Sequence, residues 1–304
     1  HCFSHGRIQG FSALFHAVSA FCNAGLSTCP GNLVSFADDW AVTVIVMLLI
    51  VLGGLGFYVL LELPALFRPR NIRPGQGLSW QSAVVVRTSL WLIAIGTVIF
   101  FVVEPKLTDN VCGSLLRAAF QSVSARTAGF NTIDIGRMTD TSLFILVILM
   151  FIGGSPASCA GGIKTTTLRV LLAVGAAQIK GRDQAVVDGQ GVDASTVNKA
   201  MSLTIFAGVF LLGSVFVLTI TEGANVTHEI VRGKFIELFF EAASAFGTAG
   251  LSTGLTPNLS VPGKLIIMLL MFVGRLGPVI FVTMVQAWQV REHYRRAEKS
   301  MRIG

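Results

Sequence analysis

Three stretches of this sequence end on an Ala-Gly pair in the same setting. Phe15 to Ser27, Phe120 to Asn131 and Phe240 to Ser252 each run Phe-x-x-x-Ser-Ala and then, within a few residues, Ala-Gly-(Leu or Phe)-(Ser or Asn). Asn23-Ala24-Gly25, Thr127-Ala128-Gly129 and Thr248-Ala249-Gly250 contain no carboxylate. What they can offer is backbone carbonyl oxygen, because glycine accepts angles that other residues resist and an extended stretch can then replace the hydration shell of an alkali cation. The lack of Asp and Glu disfavours a divalent cation, which would recruit them. A short helix stopping at such a glycine also aims its partly negative C-terminal end at the same spot. A single glycine of this kind reads as a helix C-cap or a close-packing position. Three in one context point to a shared task.

A second unusual stretch is Gly153-Gly154-Ser155-Pro156-Ala157-Ser158-Cys159-Ala160-Gly161-Gly162, followed by Ile163-Lys164-Thr165. Its glycines and proline disfavour a continuous helix, by ~1 kcal/mol per Gly and ~3 kcal/mol for Pro relative to Ala. The stretch is therefore expected to be a broken helix with an unwound middle. It also brushes against the phosphate-binding pattern Gly-x-x-x-x-Gly-Lys-(Ser/Thr), but Ile163 separates Gly162 from Lys164, so the spacing fails. No Ser/His/Asp or metal-ligand constellation appears elsewhere, and the chain is not expected to be an enzyme. Cys2, Cys22, Cys29, Cys112 and Cys159 lack paired spacing, so neither a zinc site nor a disulfide framework is expected, and they read as buried small apolar residues. His16, next to a phrase phenylalanine, reads as a packing or hydrogen-bonding residue. The N-terminus does not resemble a signal peptide.

The elements that hold these stretches are set by an apolar composition. The 304 residues are 53% hydrophobic and 13% charged, with a mean hydropathy of +0.71, which makes a bilayer the expected solvent. About 20 apolar residues span a ~30 Å hydrocarbon core, and uncharged runs of this kind occur at Trp40–Leu61, Thr141–Ile163 and Ala200–Thr221. Trp80–Val103 carries Arg87, and Leu265–Val290 carries Arg275. The net charge of +7 does not indicate nucleic acid, because the basic residues flank the spans. Arg68, Arg70 and Arg73, then Lys180 and Arg182, then Arg291 to Arg302 mark cytoplasmic ends, which puts the three glycine-ended phrases on the external side. Phe11–Asn23 is too short to cross and is expected to enter the membrane and return. Gly53, Gly153 and Gly274 fall in one column when the following spans are aligned.

The expectation is an all-α membrane protein of repeated units, each an outer helix, a re-entrant pore loop and an inner helix. Residues 1–67 form a partial unit lacking its outer helix, 79–182 a unit with the broken inner helix, 196–290 a further unit, and 291–304 a basic cytoplasmic tail. Non-helical backbone at membrane depth must be buried in protein or face a wet cavity, and the break at 153–162 is expected to mark a cavity. Arg275 is the one charge deep in an inner span, at a cost of ~2.5–3.5 kcal/mol on insertion scales, so it faces the interior.

Thr127-Ala128-Gly129-Phe130-Asn131, its equivalents at Asn23–Ser27 and Thr248–Ser252, Gly161-Gly162-Ile163-Lys164-Thr165 and Phe272-Val273-Gly274-Arg275-Leu276-Gly277-Pro278 resemble the Ktr/Trk/HKT superfamily of potassium transporters. The resemblance covers essentially the whole chain and is greatest to the bacterial Ktr membrane subunit. It implies a pore of four repeats around a pseudo-fourfold axis, with the first repeat and part of the second absent. Asn23 to Gly25, Thr127 to Gly129 and Thr248 to Gly250 would supply three quarters of a filter, and a fourth glycine is expected upstream of His1. Plant members with serine at that position favour sodium. It further implies potassium uptake, with sodium dependence possible in the family, and an intramembrane gate at Gly153–Gly162, bordered by Lys164 and Arg275, whose charge would weaken cation binding in the cavity. Alternatives are a snorkelling role for Lys164, a structural pair of Arg275 with Glu62 or Glu241, a sodium-conducting or unselective member, and a non-conducting scaffold. Implied partners are membrane lipid, a second copy in a homodimer and a cytoplasmic ring of nucleotide-binding regulatory subunits. The implied location is a bacterial plasma membrane, crossed several times.

Overall fold

The structure, a computed structural model, describes residues 10–66, 78–104, 110–223 and 233–276. Arg68, Arg70, Arg73 and the basic tail at 291–304 lie outside the described residues, as does the end of the last expected span.

Ten α-helices follow one another among the described residues. The first group is α1 (Gly10–Phe21), α2 (Trp40–Leu55) and α3 (Phe57–Leu66). The second is α4 (Trp80–Val103), α5 (Val111–Ser124), α6 (Asp140–Phe151) and α7 (Thr165–Ile179). The third is α8 (Ala194–Gly223), α9 (Lys234–Gly247) and α10 (Val261–Leu276). The short helices α1, α5 and α9 are each followed by an irregular strand and a 3-10 turn, at Val34–Phe36, Ile135–Arg137 and Thr256–Asn258, before the inner helix begins. The inner helices start on polar caps: Asp39 accepts from Val42 N, Thr139 from Ser142 N and Ser260 from Gly263 N. Two of these caps are held by the C-terminal glutamate of the preceding outer helix, Glu104 accepting from Thr139 N at 2.8 Å and Glu222 from Ser260 N at 3.0 Å.

The outer helices α4 and α8, of 24 and 30 residues, are long and apolar enough to cross a membrane. Each keeps an exposed apolar stripe, with Trp91, Ile95, Val98 and Val102 on α4 and Ile205, Val209, Leu212 and Phe216 on α8. Their spacing of three and four puts each set on one helix face. The opposite faces pack inward. Phe100 of α4, Leu146 and Met150 of α6, Leu211 and Leu218 of α8, Phe240 and Phe246 of α9 and Leu270 of α10 form the main core. A second core joins Ala20, Leu33, Phe36 and Ile50 to Phe120, Val123 and Phe130, fastening the first group to the second.

The aligned glycine column has a packing cause. A Cβ on Gly53 would stand 1.8 Å from Phe21 O, and one on Gly274 1.9 Å from Phe246 O, so each inner helix touches the end of its short helix backbone to backbone. At Gly153 the corresponding neighbour is Gly161 O, also at 1.8 Å. There the chain's own break takes the place of the short helix.

Three expectations are corrected. The run Trp40–Leu61 is not one straight span: α2 stops at Leu55, Gly56 adopts φ +89°, and α3 leaves at 108° to α2. A positive φ is cheap only for glycine, which lets the chain turn between two apolar helices. The four cysteines among the described residues are not buried: Cys22 and Cys112 are exposed and Cys29 and Cys159 partly so, while Cys2 lies outside the described residues. The stretch after Ile179 contains a β-hairpin, β1 (Val186–Val187) with β2 (Gln190–Gly191), around a two-residue Asp188-Gly189 turn with φ 49° and 83°. An Asp-Gly pair between short strands is a recognised hairpin signal. Asp188 then pairs with Arg87 of α4 at 2.8 Å and Arg169 of α7 at 3.0 Å, and Trp80 Nε1 donates to Val187 O. Just beyond, Asp193 caps α8 by accepting from Ser195 Oγ and Thr196 N, and these bonds hold its carboxyl down at about 2.

Candidate functional site

The short helices α1, α5 and α9 deliver three strands to one place. In each strand the residue two before the last glycine, Asn23, Thr127 or Thr248, has a left-handed backbone, with φ of 51°, 68° and 51°. The glycines follow suit: Gly25, Gly129 and Gly250 have φ of 67°, 77° and 80°, while the alanines between keep negative φ. Left-handed angles at non-glycine residues are uncommon, and here they recur at equivalent positions three times. The strands meet at their glycines. A Cβ on Gly25 would lie 2.7 Å from both Ala128 O and Gly129 Cα, and one on Gly129 would lie 2.6 Å from Ala249 O and 3.0 Å from Gly25 Cα. At Gly250 the nearest atom is Gly129 Cα at 3.6 Å, so only the backbone angle demands glycine there. Ala128 O and Ala249 O thus project toward the neighbouring strand. The result is a cluster of backbone oxygens with glycine on every inward surface.

The serine of each phrase fixes this shape, a role that sequence reasoning missed. Ser19 Oγ donates to Leu26 O at 2.9 Å, Ser244 Oγ to Leu251 O at 2.6 Å and Ser124 Oγ to Phe130 O, in each case the carbonyl just beyond the glycine. The same serines' carbonyls accept from Ala24 N, Ala128 N and Ala249 N at 2.9, 3.0 and 2.8 Å. Every strand is clamped on both sides of its glycine by one residue of its own helix.

A further brace comes from the residue after the phrase phenylalanine in the first and third copies, while Gln121, its counterpart in the second, is buried with neither amide atom hydrogen-bonded. His16 Nε2 hydrogen-bonds Ser27 Oγ at 2.8 Å. Glu241, 4% exposed, accepts from Ser252 Oγ at 2.7 Å, Thr253 N at 2.9 Å, Thr253 Oγ1 at 3.1 Å and Thr256 Oγ1 at 2.5 Å. His16 is therefore a hydrogen-bonding residue, and Glu241 spends its charge on the wall of the site. Asn23, with its amide turned to satisfy its neighbours, donates to Ala20 O and Ile50 O at 3.0 and 3.3 Å, tying the first strand to α2.

The glycine-rich break forms a closed loop against this cluster. Its ends are joined by a parallel bridge between Ile152 and Ile163, in which Gly153 N donates to Ile163 O at 2.8 Å and Ile163 N to Phe151 O at 3.1 Å. Within it Ser158 Oγ donates to Ser155 O, and Lys164 Nζ donates to Ala160 O at 2.5 Å. One flank meets the third strand, where a Cβ on Gly161 would lie 2.4 Å from Thr248 Oγ1. The other flank meets the α2–α3 elbow: Ser155 N donates to Gly54 O at 3.1 Å and Phe57 N to Ala157 O at 3.0 Å, with Pro156 O 2.5 Å from where a Gly56 Cβ would be. Gly153, Gly154, Ser155 and Ala160 to Ile163 are buried. Among the described residues the unwound backbone thus finds its partners in protein, one of the two environments in which such backbone is tolerated at membrane depth.

Arg275 Nη1 donates to Cys159 O at the tip of this loop. Neither carboxylate considered as its partner pairs with it: Glu62 accepts from Ser79 N at 2.8 Å, and Glu241 is engaged as described. Arg275 shares a cavity of about 360 Å³ with Thr248, Gly250 and Met271. The described residues include no cluster of metal-ligating side chains.

Comparison with known proteins accords with this arrangement. The family described as cation transport protein, TrkH, matches residues 2–287. The Ktr system potassium uptake protein B of Bacillus subtilis is 36% identical over 277 residues, covering 90% of this chain and 59% of that protein. The potassium/sodium uptake protein NtpJ of Enterococcus hirae is 35% identical over 298 residues, covering 96% and 64%. The crystal structure of the potassium transporter TrkH from Vibrio parahaemolyticus superposes with a TM-score of 0.73 at 17% identity, over 94% of this chain and 61% of that one. The fold thus falls in a known class of membrane transport proteins. The chain belongs to the TrkH family of cation transport proteins, and it spans about three fifths of the length of the curated relatives it matches.

Proposed function

We propose that this chain forms part of the pore of a potassium uptake system in a bacterial plasma membrane. The observation that carries the reading is the convergence of Gly25, Gly129 and Gly250 on strands of equal backbone conformation, with no carboxylate among them. Backbone oxygens at that density suit a dehydrated monovalent cation. In this reading Asn23 to Gly25, Thr127 to Gly129 and Thr248 to Gly250 are filter strands. The loop Gly153–Gly162 is the gate beneath them, held shut by Arg275 at Cys159 O, by Lys164 at Ala160 O and by the α2–α3 elbow. The guanidinium at the loop also opposes cations resting in the cavity below the filter, so flux requires that loop and arginine move together.

The relatives' names support potassium as the transported ion, and that of the Enterococcus hirae protein supports sodium as a second one, either carried or coupled. The membership of relatives in a Ktr system supports a partner, which we take to be a cytoplasmic nucleotide-binding ring beneath a homodimer embedded in lipid. Rubidium uptake into proteoliposomes containing the full-length protein tests the reading. Uptake that is competed by potassium is expected, and no uptake of rubidium or potassium by folded protein would overturn it.

A further inference from the structure

Arg126 stands where the other two phrases have phenylalanine. Ser-Ala is followed by Phe21 in the first copy and Phe246 in the third, but by Arg126 in the second. The second copy is also one residue shorter between that position and its Ala-Gly pair. Arg126 directly precedes Thr127, yet its side chain turns away from the glycine cluster. It is 7% exposed, and Nη1 donates to Ser89 O of α4 at 3.1 Å. Among the described residues no carboxylate pairs with it. A buried charge without a counter-charge is costly and is rarely kept for stability alone.

Its surroundings are unusual. Arg126 Nε and Ser89 Oγ are both buried and without a hydrogen-bond partner. Arg126 and Ser89 line one cavity of about 20 Å³, together with Val123, Ile93, Gly54 of the elbow and Gly154 of the loop. That volume suits a single water molecule, whose oxygen would accept from Nε–H and engage the Ser89 hydroxyl. The first strand is tied to its inner helix through Asn23. In the second copy the inner helix breaks off at the loop, and the tie runs to the outer helix instead.

We infer that Arg126 is a positioning residue for ion selection: its guanidinium fork anchors the second filter strand to α4 and, through the shared cavity, to the walls formed by Gly54 and Gly154. The inference rests on the filter reading above. A fork donates in two fixed directions at once, which neither an amide nor a lysine ammonium reproduces.

The test compares Arg126→Gln, Arg126→Lys and the reference variant Gly129→Ser in the full-length protein, reading rubidium uptake in competition with sodium. Arg126→Gln is expected to lose about tenfold in potassium-over-sodium discrimination and Arg126→Lys about threefold, as a buried hydrogen-bonded group worth ~1–2 kcal/mol would. A purely structural arginine would lower the amount of folded protein and leave the ratio untouched. Wild-type discrimination in Arg126→Gln, or in Arg126→Lys if the glutamine variant does not fold, overturns the anchor while Gly129→Ser still reports on the filter. Unchanged discrimination in Gly129→Ser overturns the filter reading and the anchor with it.

Discussion

At the scale of single residues, the site is built by groups that hold backbone rather than groups that touch an ion. Ser19, Ser124 and Ser244 each grip both sides of a glycine, and Glu241 gathers four donors behind the third strand. Removing Glu241 would leave the half-buried Thr253 N–H and the hydroxyls of Ser252, Thr253 and Thr256 without this partner, each at up to ~1 kcal/mol. Glu241→Ala is therefore expected to lower the thermal midpoint in detergent and to erode potassium-over-sodium discrimination, with Glu241→Gln in between because the amide still accepts at one oxygen. Equal melting curves and equal rubidium competition in all three proteins would contradict the brace. The glycines and their neighbours were legible in the sequence because three copies repeated them. The serines were written in the same phrase, but their task depends on a carbonyl six or seven residues away curling back, and no pattern of types discloses that. Arg126 was hidden for the opposite reason: it is where one copy departs from the others.

At the scale of elements, periodicity served well wherever a helix is straight. Trp80–Val103 was legible to the residue, since an uninterrupted apolar run with Ser79 as its cap leaves little freedom. The elbow at Gly56 was not, because glycines inside an apolar run, here Gly53, Gly54 and Gly56, look the same whether the helix continues or turns. The hairpin at Val186–Gly191 escaped as well, although its Asp-Gly turn was in plain view, since attention to membrane spans passes over short polar segments. The break at 153–162 was legible as a break, but its closure by the Ile152–Ile163 bridge depends on residues eleven apart meeting in parallel. Under the gate reading, deleting part of Ala157–Gly161 removes the tip that Arg275 and the elbow hold, and steady rubidium uptake should rise several-fold. Unaltered uptake by a variant that folds normally would mark the loop as packing alone. The rise is several-fold because the deletion removes one of the two elbow hydrogen bonds, Phe57 N to Ala157 O, worth ~0.5–1.5 kcal/mol.

For the molecule as a whole, the three groups are not equivalent despite their shared plan. The core joins the second and third groups through α6, α8, α9 and α10, while the first is fastened to the second through Phe120, Phe130 and Leu33. The glycine cluster lies where all three meet, so an ion bound there would bridge the three groups at once. Cations accepted by the cluster should thus stabilise the folded protein. At a hundredfold excess over the dissociation constant, linkage gives about 2.7 kcal/mol. The thermal midpoint of the full-length protein should rise with potassium or rubidium at constant ionic strength and remain unmoved by an organic cation too large to enter. Equal midpoints in both salts would argue against a site at the cluster.

The elbow also has a genetic consequence. Its two bonds to the loop, Ser155 N to Gly54 O and Phe57 N to Ala157 O, are made by main chain alone. Ordinary side-chain exchanges at Phe57 or Ser155 leave both bonds intact, whereas any Cβ at Gly56 would meet Pro156 O. Proline at position 57 acts on a bond directly. Phe57 opens α3, where proline is tolerated because the first helical N–H has no partner within the helix, and Gly56 already holds ψ 155°, as a residue before proline must. Under the gate reading, Phe57→Pro would delete one of the hydrogen bonds that hold the loop, and cells that depend on the full-length protein should then tolerate lower external potassium while becoming more sensitive to sodium.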